Sequence, residues 1–250
     1  MSCNSRIGCA AMTAPRHGAA HEDPWPDRRH ELGSSAQYYR LINEDVRQRL
    51  GGAHSAQLLL WSVDFAPIKQ LQHDGDWDAL GDHMVEAARR LQAGGADLLL
   101  VCTNTMHTLA DRIEAACPLP LLHIADPTAQ AIVQAGARKV GLLGTAFTME
   151  QDFYRGRLQD RFGLEVLVPE ADDRRSVHDI IYQELIAGVV SEHSRQVYAG
   201  VIARLVARGA EAIILGCTEI MLLVRPEDSA VPLFDTTALH ARAAVDAALA

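Results

Sequence analysis

Apolar positions in this chain alternate between two rhythms. Short aliphatic runs lie at 56–63 (AQLLLWSV), 97–102 (DLLLVC), 119–124 (LPLLHI), 139–144 (KVGLLG), 164–168 (LEVLV), 211–216 (EAIILG) and 231–234 (VPLF). Unbroken runs of this length suit strands buried on both faces of a sheet. Between them apolar residues recur at the helical period, predicting helices over 35–50, 76–93, 106–116, 127–135, 149–162, 175–189, 193–208 and 237–249. Pro127 after Asp126 marks one helix start, and Thr148 with Gln151 reads as a capping box at another. Strands and helices in strict alternation predict an α/β fold with parallel sheets.

The pattern repeats. Gly95-Ala96-Asp97 leads into a run that ends on Cys102-Thr103, and Gly209-Ala210-Glu211 leads into one that ends on Cys217-Thr218. "PLLHIADPTA" follows the first and "PLFDTTA" the second. Two copies of one design predict two pseudo-symmetric lobes, each a parallel sheet flanked by helices. The expected division is 34–125 plus 235–250 for the first lobe and 126–234 for the second. Open α/β sheets bind ligands at the carboxyl ends of their strands, so the two Cys-Thr ends are expected on opposite walls of one cleft between the lobes.

Composition narrows the partner. Of the 250 residues 48% are apolar and only 5% aromatic, and 32 acids against 23 Lys and Arg give a net charge of −9 with the basic residues scattered. Such a surface offers no footprint for nucleic acid or an anionic membrane, and a small molecule is the expected partner. No apolar run reaches the roughly 18 residues that span a bilayer, and "MSCNSRIGCAAMTAPRHGAA" lacks a hydrophobic signal core, so a cytoplasmic location is expected. The five cysteines show no C-x-x-C and no zinc spacing, which suits reduced thiols and no metal.

Two thiol-bearing walls around one carbon suit a 1,1-proton transfer, in which one group takes the Cα proton and the other delivers a proton from the opposite face. A cysteine thiol, with its pKa lowered at a helix N-terminus, suits that task. Neighbouring Thr and Asn donors would hold the substrate carboxylate. Asn104, Thr105 and Thr218 are the candidates, with Thr103 in a dual role and Glu219 as a substrate-binding group able to grip an amine. The chemistry requires no cofactor.

At these residues the chain resembles the aspartate/glutamate racemase family. "LLVCTNTMH" and "LGCTEI" are similar to its two signature motifs, in order, with "LLGTAFTMEQDFY" between them. "QYYRLINEDV" and "SVDFAPI" are similar to its broad amino-acid racemase branch. The resemblance, running from about Ser34 to the C-terminus, implies a cofactor-independent two-lobe racemase of aspartate/glutamate or a broader set of amino acids and a homodimer. A hydantoin racemase or small-diacid isomerase of the same architecture, and an inactive amino-acid-binding remnant lacking the first strand, stand as the alternatives. It also implies a substrate contact at Gln72, in the loop beyond "SVDFAPI". His107 and His123 read as structural.

One departure bears on mechanism. The family's usual first motif is Cys-Asn-Thr, whereas here Thr103 stands between Cys102 and Asn104. Gly209 to Cys217 is eight residues, and eight residues from Gly95 reach Thr103, so the partner of Cys217 across the cleft is Thr103 or Cys102. Adjacent strand residues face opposite ways, which sets the two apart. A threonine hydroxyl donates a proton far better than it abstracts one, so Thr103 opposite Cys217 implies a strongly one-directional enzyme.

The family begins with a strand and a Gly-Gly-Met loop, but "HEDPWPDRRHELG" at 21–33 is too charged and proline-rich for a buried strand. A permitted back-translation read one base later spells Met-Lys-Thr-Leu-Gly-Leu-Ile-Gly-Gly-Met-Ser-Trp. Residues 1–33 are therefore expected to be a leader or frame-shifted segment that leaves the centre of the first sheet without its strand.

Overall fold

A computed structural model of the chain describes residues 6–13 and 34–250. Strands β1 (Ile7–Thr13), β2 (Leu58–Asp64), β3 (Leu98–Val101) and β4 (Leu121–Leu122) form one sheet in the order β2-β1-β3-β4. Strands β5 (Lys139–Gly144), β6 (Glu165–Leu167), β7 (Ala212–Gly216) and β8 (Leu233–Asp235) form a second in the order β6-β5-β7-β8. All six strand pairings are parallel. The flanking helices are α1 (Ser34–Leu50), α2 (Phe65–Asp74), α3 (Trp77–Ala93), α4 (Ala110–Ala116), α5 (Ala125–Gln134), α6 (Ala146–Glu150), α7 (Asp152–Phe162), α8 (Ala171–Gln183), α9 (Glu192–Ala207), α10 (Ile220–Leu223) and α11 (Thr236–Leu249).

The repeat read from the sequence is a repeat of backbone hydrogen bonds. Ala96 N–H donates to Leu91 O and Ala210 N–H to Leu205 O, both at 3.0 Å. Asp97 N–H donates to Arg6 O and Glu211 N–H to Lys139 O, both at 2.8 Å, and Leu99 N–H donates to Pro120 O and Ile213 N–H to Pro232 O, both at 2.9 Å. Gly95 and Gly209, which turn the chain into these strands, have φ of 89° and 95°, a region glycine enters without steric cost.

The expectation of an empty centre in the first sheet is corrected. Ile7–Thr13 occupies it, paired with β2 from Ile7↔Leu58 to Thr13↔Asp64 and with β3 from Ile7↔Leu98 to Ala10↔Val101. Ile7 and Cys9 are buried, and a Cβ on Gly8 would come within 2.9 Å of Ala96 Cβ, so the small residue lets α3 and its exit turn lie close on the strand. "IGCAAMT" carries a weak strand signal because its residues are mostly small. Residues 21–33, on which the shifted reading frame rests, lie outside the described residues.

Cores form on both faces of the first sheet. Leu98 and Leu100 point with Ile7 and Cys9 toward α1 and α11, packing on Tyr38, Ile42, Ala241, Ala244 and Val245. Leu99 and Val101 point the other way, toward Ile68, Leu80, Met84, Leu91 and Ile113 of α2, α3 and α4. The second sheet packs within a single cluster from Ile124 to Val224 that includes Leu142, Tyr154, Tyr198, Ile213 and Ile214. α11 follows the last strand of the second sheet yet packs on the first, so the chain ends where it began.

Three local expectations change. Helix 149–162 is two helices, broken at Gln151, and the cap of the first is Thr145, whose Oγ1 accepts from Thr148 N–H at 3.3 Å; Thr148 is not the cap. Residues 65–74 form α2, started by Asp64, whose side chain accepts from Ala66 N–H. The segment 106–116 opens as a 3-10 turn, Thr105–Leu109, before α4.

Candidate active site

The carboxyl ends of β3 and β7 carry the two motifs. Because alternate residues of β3 share a face, Cys102 follows Leu98 and Leu100 into the core beneath α1 and α11, where it is fully buried. Burial, with Cys9 beside it, holds its thiol pKa well above the ordinary value. Thr103, the next residue, is only partly buried at the strand end. At the end of β7 the partly buried residue is Cys217. The paired backbone hydrogen bonds set the correspondence: Thr103 stands at the same remove from Leu99 as Cys217 does from Ile213, and Cys102 matches Gly216.

Asn104 is 3% exposed, and its Nδ2 donates to Thr236 Oγ1 at 3.1 Å, while its Oδ1 is buried with no partner. Thr105 and Thr145 share a 3.0 Å hydrogen bond between hydroxyls across the two lobes. Gln72 lies in α2, not in the loop expected for it, and is 5% exposed. Its Nε2 donates to Met106 Sδ at 3.3 Å and its Oε1 accepts from Tyr182 Oη of α8 at 3.3 Å, a second bridge between lobes. Lys69 Nζ stands 5.4 Å from the centroid of the Tyr182 ring and has no carboxylate partner among the described residues. Trp77 meets Phe147 edge-on at 5.6 Å, adding an apolar contact from lobe to lobe.

Cys217 is not activated by a helix end. Only the four-residue α10 follows it, and burial, then the Glu219 charge, then the hydrogen bond to Glu219 hold the thiol well above its ordinary pKa. Its Sγ donates to Glu219 Oε2 at 3.0 Å, and Thr218 Oγ1 donates to the same oxygen at 2.6 Å. The expected lowering is therefore corrected to a raising. Tyr182 is pushed up to about 12 by burial and by the charges of Cys217 and Glu219, which sets its hydroxyl near that wall as a donor.

Behind the Thr103 wall lie three imidazoles. His107 Nε2 accepts from Ile124 N–H at 3.1 Å, which leaves its proton on Nδ1 to donate to Thr103 O at 2.8 Å. His123 Nδ1 accepts from Ala125 N–H at 3.2 Å, and His240 bridges Tyr38 Oη (2.7 Å) and Leu122 O (2.8 Å). Burial pushes His107 down to about 4 and His240 down to about 3, and lowers His123 as well. All three are neutral structural residues. Among the described residues no three His, Cys, Asp or Glu side chains converge as a metal site, and no helix is long and apolar enough to cross a membrane.

Tyr182, Thr145, Lys69 and Thr236 were not singled out from the sequence. Thr145 was findable, since it ends β5 as Cys217 ends β7. Tyr182 sits in an ordinary apolar helical stripe and gave no signal.

The profile of the Asp/Glu/hydantoin racemase family matches residues 31–244. The chain belongs to this family. It is an isomerase of the racemase type. A putative Asp/Glu racemase from Yersinia pestis is 50% identical in sequence, with the alignment covering 98% of this chain and 100% of that one at a TM-score of 0.85. An aspartate racemase homologue from Pyrococcus horikoshii OT3 is 26% identical over 98% of this chain and 100% of its own, at a TM-score of 0.76. The broad specificity amino-acid racemase RacX of Bacillus subtilis (strain 168) is 25% identical over 179 residues, 70% of this chain and 75% of RacX. The racemase profile begins after β1, so the first strand of this chain lies ahead of the matched segment.

Proposed function

We propose that this racemase inverts an acidic amino acid, aspartate or glutamate, or a broader set, by 1,1-proton transfer between Cys217 and Thr103. The observation that carries the reading is the backbone register that stands these two partly buried residues at equivalent ends of β3 and β7. Cys102, turned into the core, has no place in it.

In the free protein Cys217 is a thiol bonded to Glu219. The substrate ammonium, received by the unpartnered Asn104 Oδ1 and by Glu219, offsets the carboxylate charge that keeps the thiol protonated. With the ammonium bound the thiol gives its proton to water, the thiolate takes the Cα proton, and Thr103 Oγ–H delivers its own to the opposite face, the alkoxide left behind being reprotonated by water. In the reverse direction Thr103 takes the Cα proton as a transient alkoxide. Because the two enantiomers have equal free energy, kcat/KM is the same both ways, so the weak hydroxyl slows both directions alike and the expectation of a one-directional enzyme is corrected. The hydroxyls of Thr105 and Thr218 face the α-carboxylate, Gln72 holds the substrate with Tyr182 behind it, and Lys69 supplies a cation for a side-chain carboxylate. No step requires a cofactor.

The reading places the enzyme in the cytoplasm, where thiols stay reduced; the four described cysteines are free. It also makes the enzyme a homodimer, which light scattering checks. Incubation with L- and D-aspartate and glutamate in deuterium oxide tests the activity: deuterium enters Cα with inversion of configuration. A hydantoin or small-diacid isomerase would leave every amino acid unlabelled, and that outcome would sink the reading.

A further inference from the structure

Thr236 begins α11 where the chain crosses from the second lobe back to the first, and it is wholly buried. Its Oγ1 accepts from Asn104 Nδ2 at 3.1 Å and donates to Leu215 O at 3.0 Å. Asn104 is next to Thr103, and Leu215 is the second residue before Cys217. One hydroxyl, its donor and acceptor capacity both used, thus ties the backbone of one wall to the side-chain amide of the other.

We infer that Thr236 is a positioning residue that clamps the Thr103 wall to the Cys217 wall and turns the acceptor end of Asn104 toward the substrate.

The inference rests on the racemase reading and follows from three features of the contact. A primary amide has a donor end and an acceptor end, and anchoring Nδ2 on Thr236 leaves Oδ1 as the end that faces an ammonium group. The Leu215 carbonyl, at the last turn of a strand whose residues are all buried, is a rigid anchor. The third feature is placement: other lobe-to-lobe bonds, Thr105 to Thr145, Tyr182 to Gln72, Thr108 to Gln151 and Gln37 to Met221, join side chains to side chains, whereas this one takes hold of the strand that ends on Cys217. Two groups that act on opposite faces of one carbon need a fixed offset, and a misplacement near 1 Å costs up to about a hundredfold in rate.

The test uses Thr236→Val, which keeps the shape and removes both bonds, and Thr236→Ser, which keeps the hydroxyl. Each is assayed on L- and D-aspartate and glutamate in deuterium oxide, scoring Cα deuterium with retention separately from inversion. A loosened clamp leaves Cys217 able to exchange the proton on its own side but not to complete the transfer to the Thr103 side. Thr236→Val is expected to lose inversion at least about tenfold more than exchange, while Thr236→Ser keeps the wild-type ratio within about threefold. A purely structural role would lower both rates together in Thr236→Val. That result, or equal impairment of the serine variant, overturns the inference.

A second readout needs no turnover. The Asn104 side-chain amide resonance, assigned by its loss in Asn104→Ala, should shift and exchange faster with water in Thr236→Val and stay as in the wild type in Thr236→Ser. An unchanged amide in Thr236→Val refutes the clamp. If the wild type labels no amino acid at all, the racemase reading fails while the amide measurement still decides whether the clamp exists.

Discussion

The ends of β3 and β7 are the same backbone with different chemistry. Both leave a glycine at positive φ, both pair with a proline carbonyl at the same height, and both turn out of the sheet at a partly buried residue. At β7 that residue is a thiol whose hydrogen goes to Glu219; at β3 it is a threonine whose carbonyl is held by a buried imidazole, and the nearest thiol has been turned into the core. A repeat can keep its strand register while the two residues just past its strand ends diverge, because register is set by backbone pairing and core-facing residues, whereas the residue past the strand end is free of both. The two walls thus present a thiol and a hydroxyl, an inequality that can make the two kcat values differ only where the KM values differ in proportion.

The strongest blow to the comparison is Cys217→Ser. It should lower racemisation at least about a thousandfold with no loss of fold, since serine keeps the hydrogen bond but ionises far less readily. Near-wild-type turnover with an unchanged circular dichroism spectrum would remove Cys217 from the mechanism.

Acid should separate the walls. His107, buried and neutral, titrates near pH 4 in the folded protein against an ordinary 6.5, so the unfolded chain binds a proton that the folded chain refuses. Stability is therefore full above about pH 6.5 and falls as pH drops toward 4, by an amount on the order of 3 kcal/mol from this residue, with His240 adding in the same direction. Because these imidazoles hold Thr103, Leu122 and Ile124, amide exchange near pH 4 should quicken over 103–124 before it does over 212–220. Uniform exchange across both segments would show that the imidazoles do not brace the first wall.

Ile7 and Val140 hold the same place in the two central strands, and both are fully buried. Ile7→Ala should cost about 2–4 kcal/mol in urea unfolding, with Val140→Ala in the lower part of that range. A negligible effect of Ile7→Ala would mean that another segment fills the first sheet.

The smallest effect is expected at Cys102→Ala, about 1 kcal/mol of packing with turnover within about threefold of wild type. Thr103→Ala should instead abolish inversion. The reverse outcome would exchange the roles of the two residues.

Most of the fold was legible because both sheets are buried on two faces and their strands are unbroken aliphatic runs; β5, Lys139–Gly144, falls on its predicted limits. β1 was not, because α3 and its exit turn press on it at Gly8 and because "GCAAM" lacks the branched residues that mark a strand. α2 was hidden by Pro67, which is harmless in a first turn but looks like a break within a run. At the site, spacing brought Thr103 and Cys217 into correspondence before any coordinates. The lobe-to-lobe bonds of Tyr182, Thr145 and Thr236 depend on how two separate sheets dock, which no local pattern carries.

The path of the chain also has a consequence for its synthesis. The second lobe's core draws on one continuous stretch from Ile124 to Val224, whereas the first lobe's core joins Ile7 and Tyr38 to Ala241, Ala244, Val245 and Ala248 in the last helix. On the ribosome the half made first must wait for α11 to emerge, while the half made second can already close around its own sheet. The nascent chain is thus expected to mature backwards, leaving the α1 side of the first sheet uncovered until α11 has emerged.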